Sequence, residues 1–376
     1  MNDPRTRLAY LDSWRDLFRE MAESQVALPS SLIDTLSEAT GIPAQNLRAG
    51  IGVMCCGWAQ LRRSPFMWNI TLDASCRVTI VAAGNIPGVA VAPAVMLAAA
   101  GCVVQVKLAA ADRWLLPWLL EQHQSRSPET PDAIHAAYHP PDSPELHRWL
   151  TEADRVLAFG SDETVATLKQ QYGQKVIGFG HKFSVALVDA SQATDTVLRG
   201  LAYDVLLFRQ AGCLSAQAVF VVGDDAPRRW LDALSAMFDR VLDEEFGRPP
   251  ASDKQAMQWS TTRDVLDLSG AEYLMADDRS YFLAVQPQFN EDLLLGNGFV
   301  QIIPVTDVTG MLRQLEPRRG QLQGCALAME EPMASLAAQE LGRFGFSHVC
   351  PPGELQAPPL DWPNGGALLP EAVFQW

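Results

Sequence analysis

The sequence lacks the cysteine spacings that mark a zinc site or a disulfide-rich domain. Its seven cysteines are an odd number, and no two of them form a Cys-x-x-Cys pair. We therefore expect neither a disulfide framework nor a bound metal. Reduced thiols are typical of cytosolic proteins, so a cytoplasmic location is favoured.

Basic residues are scarce, and an uninterrupted apolar run is absent. Lysine and arginine number 29 against 44 acidic residues, which gives a formal net charge of −15. Such a surface repels nucleic-acid phosphates and anionic membranes, so an anionic ligand needs a local basic or dipolar site. The longest apolar stretch, residues 86–104, contains two prolines and two glycines. It predicts a loop, a buried helix, a loop and a strand rather than a membrane span, and the N-terminus lacks the apolar core of a secretory signal.

The sequence does contain a long alternation of strand and helix patterns. From residue 77 onwards, short apolar runs that end on glycine or a polar residue alternate with amphipathic helix patterns. This alternation predicts an α/β protein with two Rossmann-like domains and largely parallel sheets. We expect a helical region plus a cofactor-binding α/β domain over residues 1–182, a catalytic α/β domain over 183–345, and a C-terminal return segment over 346–376. The segment 128–145 is broken by prolines, and no strand is assigned to it.

Four short segments lie at the ends of predicted strands, where the ligand sites of open α/β sheets gather. These segments are 84–87, 106–112, 159–165 and 178–191. Ser161 in the third segment is predicted to cap a helix whose N-terminus could receive a dinucleotide phosphate. Cys213 follows a Gln-Ala-Gly turn and precedes an apolar strand. It is either a small core residue or a nucleophile presented on a rigid turn.

These segments, in this order, resemble the aldehyde dehydrogenase superfamily, and most closely the acyl-CoA reductases of bacterial bioluminescence. The runs RVLAFGSDETV, GHKFSVALVDAS and DVLLFRQAGCLS carry the resemblance, which extends roughly over residues 77–376. It implies an aldehyde dehydrogenase-like fold with the active site at the interface of the two domains. It also implies that Cys213 is the nucleophile and that Asn85 of the GNIP turn stabilises the oxyanion.

The same resemblance assigns cofactor contacts to four residues. Lys107 matches a lysine that contacts the adenosine ribose, Gly160 and Ser161 match the phosphate turn, and Gly180 lies in the matched glycine-lysine run. The superfamily often carries a glutamate three residues after that lysine, and here the position is Ala110. Without a carboxylate a 2′-phosphate is not repelled, so NADPH is the expected cofactor and NADH the alternative.

A second departure concerns the glutamate that activates water in hydrolytic aldehyde dehydrogenases. When Lys182 is aligned with the matched lysine, this position is Gly178. The resemblance therefore predicts reduction of an acyl-CoA or carrier-bound acyl thioester to an aldehyde, through a thioacyl intermediate on Cys213. Local dipoles or a cation could lower the pKa of this cysteine, Arg209 and His181 are the candidate cations, and the role of Glu291 is left open.

Two other functions stay open. One is an NAD(P)-dependent aldehyde dehydrogenase, against which the absent glutamate argues. The other is a non-catalytic or partner-dependent subunit of an acyl-activating complex, because the bioluminescence reductases act with acyl-transferase and acyl-synthetase partners. The resemblance is compatible with such a partner protein and with a homo-oligomer. We expect no nucleic-acid partner. His135, His139 and His147 are irregularly spaced, so they are interpreted as surface residues rather than metal ligands.

Overall fold

The computed structural model describes residues 4–61, 76–223, 227–366 and 368–374. The chain divides into two compact units. Unit 1 comprises residues 1–41, 51–181 and 357–376, and unit 2 comprises residues 42–50 and 182–356. The predicted return segment is thus shared between the units, with the division at residue 357. The cofactor-binding and catalytic roles of the two parts remain predictions.

Unit 1 is built on a five-stranded parallel sheet with the order β3-β2-β1-β4-β5. Its strands are β1 Arg77–Val81, β2 Val103–Leu108, β3 Ile134–Tyr138, β4 Arg155–Phe159 and β5 Val176–Phe179. Its helices are α1 Pro4–Ala22, α2 Ser30–Thr40, α3 Ala44–Trp58 (which begins in unit 2), α4 Val91–Ala99, α5 Leu115–Arg126, α6 Pro144–Glu152 and α7 Asp162–Tyr172. The helix α4 is buried over almost its whole length, as expected for the apolar stretch in which it lies.

Strand β3 lies inside the proline-broken segment, to which no strand had been assigned. Pro131 and Pro140 stand on either side of the strand, so every residue of β3 keeps its backbone N–H for the ladder with β2. Of the three histidines in this region, His135 and His147 are exposed, whereas His139 is half-buried. The His139 ring packs edge-on against Trp149, with 4.6 Å between ring centroids. Within the described residues, no three His, Cys, Asp or Glu side chains cluster so as to hold a metal ion.

Unit 2 is built on a seven-stranded sheet with the order β12-β11-β6-β7-β10-β9-β8, in which only the β8–β9 pair is antiparallel. Its strands are β6 Phe183–Asp189, β7 Ala216–Val222, β8 Tyr273–Met275, β9 Phe282–Val285, β10 Phe299–Val305, β11 Leu322–Ala328 and β12 His348–Cys350. Its helices are α8 Asp195–Leu206, α9 Pro227–Glu244, α10 Asp253–Ser269, α11 Val308–Leu315 and α12 Met333–Phe344. The last helix of the chain, α13 Leu369–Phe374, belongs to unit 1. The central strands are buried on both faces, as parallel sheets covered by helices require.

A buried carboxylate fastens the segment after β12 to helix α8. Asp204 accepts hydrogen bonds from the backbone N–H groups of Gly353, at 2.8 Å, and Leu355, at 3.1 Å. Burial raises the pKa of Asp204 to about 8, although both N–H groups act in the opposite direction. The carboxylate thereby fixes the segment that ends unit 2. None of the described helices combines the length and apolarity that crossing a bilayer requires.

Candidate active site

In the sheet of unit 1, the strand order reverses next to β1. The chain adds β2 and β3 on one side of β1 and then returns to add β4 and β5 on the other side. Rossmann-like sheets bind dinucleotides in the crevice outside the carboxyl ends of the strands at such a switch point. The turn that carries Asn85 follows β1, and Gly160 with Ser161 follows β4, so these residues border the crevice.

The Asn85 turn is held by a carboxylate from the turn after β2. Asn85 itself is exposed. Asp112 is buried, and its Oδ2 atom accepts a hydrogen bond of 2.8 Å from the backbone N–H of Gly88. Burial raises the pKa of Asp112, and the bond from Gly88 opposes this rise. Asp112 therefore positions the turn, a role that the sequence did not reveal because Asp112 appeared only as the end of a strand segment.

Lys107 is the cation at this edge of the sheet. It lies on β2, in register with Val81 of β1 and Ala137 of β3, and burial lowers its pKa. Among the described residues, no hydrogen-bond or ion-pair partner holds its Nζ atom. An unpaired, half-buried ammonium is costly unless a ligand satisfies it. The donor set therefore fits a ribose hydroxyl or a phosphate oxygen.

The turn after β4 is partly as predicted. Ser161 is the N-cap of α7, since its Oγ atom accepts the Thr164 N–H at 3.2 Å. The first turn of α7, however, carries Asp162 and Glu163. These carboxylates oppose a phosphate at the positive end of the helix dipole, so this turn is a weaker phosphate site than the pattern around Ser161 indicated.

Gly180 makes room for one of these carboxylates. A Cβ atom at Gly180 would lie 2.1 Å from Oδ1 of Asp162, and that oxygen accepts the His181 N–H at 3.0 Å. The absence of a side chain at Gly180 therefore serves the link between α7 and the segment after β5. A contact of Gly180 with the cofactor remains a prediction.

Gly178 on β5 has no room for a side chain. A Cβ atom there would lie 2.1 Å from Cγ1 of Val165 on α7. At the position that the resemblance aligns with the water-activating glutamate, a side chain would therefore fit only if Val165 or α7 moved.

Cys213, in unit 2, is exposed to solvent and is not the small core residue that its apolar context also allowed. Desolvation by the protein atoms crowded around the thiol nevertheless raises its pKa to about 11. Three groups oppose this rise, namely the backbone N–H groups of Cys213 and Leu214 and the ammonium of Lys182. The residue is thus reachable from solvent, while protein atoms surround its sulfur. At neutral pH the resting thiol is protonated.

The carbonyl group of Cys213 is fixed by a buried serine. Ser184 of β6 donates its hydroxyl proton to the Cys213 carbonyl oxygen at 2.7 Å and accepts the Gly324 N–H at 2.9 Å. Its side chain thus links the cysteine turn to β11 as well as to β6. The nucleophile candidate therefore lies on a rigid support.

Gln210 fastens the start of the same turn. Its Nε2 atom donates to the carbonyl oxygens of Ala216, at 2.7 Å, and Phe299, at 2.8 Å. Its Oε1 atom accepts the Gly298 N–H at 2.8 Å. Arg209 and Gln210 both have left-handed φ angles, of 51° and 58°. Residues other than glycine keep such angles only where the surroundings hold them, and the three bonds of the Gln210 amide do so here.

The cation beside Cys213 is Lys182, which the sequence had supplied only as an alignment anchor. Its Nζ atom donates to the Gly320 carbonyl oxygen at 3.1 Å. Arg209, one of the two cations proposed from the sequence, instead donates to Oε1 of Gln255 at 3.1 Å. His181, the other, belongs to unit 1. Glu291 forms an ion pair with Arg318.

Replacing Lys182 with methionine is expected to slow the alkylation of Cys213 by iodoacetamide about three- to tenfold at pH 8, because losing the ammonium raises the thiol pKa further. In the unmodified protein, the alkylation rate should rise about tenfold per pH unit between pH 7 and pH 10 as the thiolate fraction grows. Peptide mass spectrometry of timed samples measures both rates.

Two variants serve as controls for this experiment. Lys182→Arg keeps a cation at the site and should react at nearly the original rate. Lys254→Met removes an exposed lysine of α10 and changes the net charge equally. Equal slowing in Lys182→Met and Lys254→Met would contradict a local effect of Lys182 on the thiol.

The candidate residues fall into two groups, one in each unit. Unit 1 contains Asn85, Lys107, Gly160, Ser161 and Gly180, and unit 2 contains Cys213. Lys107 lies near the carboxyl end of strand β2, and the other residues lie on turns that follow or precede strands of the sheet of their own unit. The meeting of the two groups in one active site stays a prediction.

Comparison with known proteins identifies the family. A family model described as acyl-CoA reductase (LuxC) matches residues 73–367. The chain belongs to this family. One relative, the long-chain acyl-protein thioester reductase of Aliivibrio fischeri, is 26% identical over 151 residues, which are 40% of this chain and 31% of the relative. The aligned part thus spans less than a third of that relative's length.

The fold of this family member is that of aldehyde dehydrogenases, as predicted. Aldehyde dehydrogenase 21 from Physcomitrella patens matches with a TM-score of 0.63 and 14% identity, over 96% of this chain and 80% of that chain. An NAD-dependent aldehyde dehydrogenase from Sinorhizobium meliloti matches with a TM-score of 0.59 and 15% identity, over 93% and 74% of the two chains. At these identities the likeness establishes the fold alone.

Proposed function

We propose that the protein reduces an acyl thioester to an aldehyde, with Cys213 as the nucleophile and NADPH as the hydride donor. Membership of the acyl-CoA reductase (LuxC) family supports the reaction class. The observation that carries the assignment to Cys213 is its presentation. Cys213 is an exposed residue on a turn fixed by Ser184 and Gln210, and two backbone N–H groups and the Lys182 ammonium favour its thiolate.

The first step is a thiol exchange. The Cys213 sulfur forms a bond to the carbonyl carbon of the thioester, and the bond from that carbon to the departing sulfur breaks. The proton of Cys213 ends on the departing thiol, whose ordinary pKa is near 8.5. The exchange therefore needs no net uptake or release of protons, but the Cys213 thiol, whose resting pKa is about 11, must lose its proton as the new bond forms.

Negative charge develops on the carbonyl oxygen during this step. Backbone N–H groups at the cysteine turn and, by the family resemblance, the side-chain amide of Asn85 are the donors proposed to meet it. A single donor of this kind contributes about 3 kcal/mol to transition-state stabilisation. Asp112 contributes indirectly, because its bond to Gly88 sets the conformation of the Asn85 turn.

The second step reduces the thioacyl group on Cys213. The nicotinamide supplies a hydride to the thioester carbon when the cofactor is bound. The resulting thiohemiacetal anion collapses to the aldehyde as its C–S bond breaks, and the released Cys213 thiolate takes up a proton from solvent. Water competes poorly for the thioacyl group, because the position aligned with the hydrolytic base is Gly178, where α7 leaves no space for a carboxylate. This packing disfavours the aldehyde-oxidising alternative.

For the cofactor, the proposal rests on Lys107 and Ala110. Lys107 offers an ammonium that has no hydrogen-bond or ion-pair partner within the described part of the chain, near the carboxyl end of β2. Ala110 is exposed in the turn that follows, so no carboxylate at that position repels a 2′-phosphate. Both features favour NADPH over NADH.

Replacing Ala110 with glutamate is expected to lower the ratio of kcat/KM for NADPH to that for NADH by about tenfold or more, because the new carboxylate repels the 2′-phosphate and can bond a 2′-hydroxyl. Steady-state kinetics with both cofactors and one acyl-CoA measures the ratio. Ala110→Gln has nearly the same size without the charge and should change the ratio far less. An unchanged ratio in Ala110→Glu would place the cofactor's ribose elsewhere, and an equal fall in both variants would mean that charge at this position does not select the cofactor.

The test of the proposed function is the covalent intermediate. The protein is incubated with a panel of acyl-CoAs without reductant, and its intact mass is measured. We expect an added acyl mass on the peptide that contains Cys213, and NADPH should discharge it as free aldehyde. An adduct on another residue, or one that NADPH does not discharge, would contradict the proposal. Folded protein that accepts acyl groups only from an added acyl-transferase or acyl-synthetase would instead favour the partner-dependent alternative.

A further inference from the structure

Two cysteines outside the candidate active site lie opposite each other at the amino-terminal ends of β1 and β2, away from the carboxyl ends where the candidate site lies. Cys76 immediately precedes β1 and Cys102 immediately precedes β2. These strands are parallel neighbours, with Arg77 in register with Val103, and the Val103 N–H donates to the Cys76 carbonyl oxygen at 2.9 Å. The register therefore places Cys76 opposite Cys102.

This placement suits a covalent bond between the sulfurs. Register partners on adjacent strands lie about 4.8 Å apart and direct their side chains to the same face of the sheet. A disulfide requires a Cα separation of about 4.4–6.8 Å, so the backbone need not move far. From this juxtaposition we propose that Cys76 and Cys102 form an oxidant-sensitive dithiol that closes to an intramolecular disulfide.

The two thiols already interact and differ in access. The neighbouring thiol of Cys102 lowers the pKa of Cys76, and the Cys76 thiol in turn raises that of Cys102. Arg155 also favours the Cys76 thiolate, whereas burial and Asp154 oppose it. Cys76 is partly exposed and Cys102 is buried. Cys76 is therefore the sulfur that an oxidant reaches, and Cys102 is the sulfur that resolves the product.

With a peroxide as oxidant, the chemistry balances in two steps. The Cys76 sulfur forms a bond to one peroxide oxygen while the O–O bond breaks, which yields a sulfenic acid and one water. The Cys102 sulfur then attacks the Cys76 sulfur, so that the S–S bond forms, the S–O bond breaks and a second water leaves. Two thiols are oxidised, and the peroxide is reduced to water.

The disulfide would enclose β1, the Asn85 turn and α4 in one covalent loop, since all three lie between the two cysteines. Cys213 lies outside this loop and keeps its thiol. The inference is independent of the reaction proposed for Cys213, because it concerns a different pair of sulfurs with its own readout.

The test uses the full chain, reduced and then treated with hydrogen peroxide. After quenching with catalase, the protein is denatured, alkylated with N-ethylmaleimide and digested with trypsin. We expect the loss of two hydrogens and two fewer alkylated cysteines than the seven of the reduced chain. The tryptic peptides 64–77 and 78–107 should be joined by a disulfide. Dithiothreitol should restore all the alkylation sites.

Variants separate this pair from the other cysteines. Cys76→Ser and Cys102→Ser should each abolish the linked peptides, whereas Cys56→Ser, which removes an exposed cysteine of α3, should keep them. Peptide mapping of the unmodified chain shows whether the two peptides become linked, even where a serine variant folds poorly. Undiminished alkylation after peroxide, or oxidation of Cys76 to a sulfinic acid without linkage, would overturn the inference.

Discussion

Replacing Cys213 with alanine is expected to abolish aldehyde formation, with kcat/KM lowered by at least about 10⁴-fold. The substitution removes the sulfur atom that would carry the acyl group, and the backbone N–H groups that face it remain in place. Because the residue is exposed, the fold should be unaffected. NADPH oxidation in the presence of an acyl-CoA measures the rate, and urea denaturation measures the stability.

The matched control for this experiment is Cys56→Ala. Cys56 and Cys213 are the two exposed cysteines of the described residues. The Cys56 variant should keep the full rate and still form the acyl adduct. A Cys213→Ala protein that still produces aldehyde would remove Cys213 from the mechanism, whatever its effect on stability.

Replacing Gln210 with leucine is expected to lower the free energy of unfolding by on the order of 3 kcal/mol. The substitution leaves two carbonyl oxygens and one N–H without their buried partner. It also releases the left-handed backbone that the amide holds. We expect the acylation of Cys213 to slow as well, since the turn that presents the thiol loses its attachment to β10. Urea denaturation and timed intact-mass measurements check the two effects.

Gln217 provides a control with the same change of side chain. It is also buried, but its amide makes a single long bond of 3.4 Å, to the Gln210 carbonyl oxygen. Gln217→Leu should therefore cost much less stability than Gln210→Leu. Equal losses in the two variants would mean that the Gln210 bonds do not secure the turn.

The fold could be predicted from the sequence because its determinants are local. Strands such as β4 and β6 are buried on both faces, so they appear in the sequence as continuous apolar runs. The cap at Ser161 depends on a residue only three positions away, and it is confirmed. Strand β3 was missed because its prolines suggested a break, whereas they lie just beyond its ends.

The side chains that hold the Cys213 turn in place could not be predicted from the sequence, because they make contacts between distant parts of the chain. Gln210 reaches the carbonyl group of Phe299, 89 residues away. Ser184 bonds to the N–H of Gly324, 140 residues away. Lys182 acts on Cys213 only because β6 and β7 are neighbours in the sheet. A buried glutamine or serine gives no sign in the sequence of which backbone groups it will satisfy.

The packing at Gly178 also limits how this protein could change over evolutionary time. By the resemblance to hydrolytic aldehyde dehydrogenases, a glutamate at Gly178 would be the shortest genetic route to a hydrolytic enzyme. That route is closed to a single substitution, because the first carbon of any side chain there would overlap Val165. A lineage would first have to shrink residue 165 or shift α7, and neither change brings an immediate advantage. The proposed use of a thiol rather than water as the partner in acyl transfer would then persist even without selection for it.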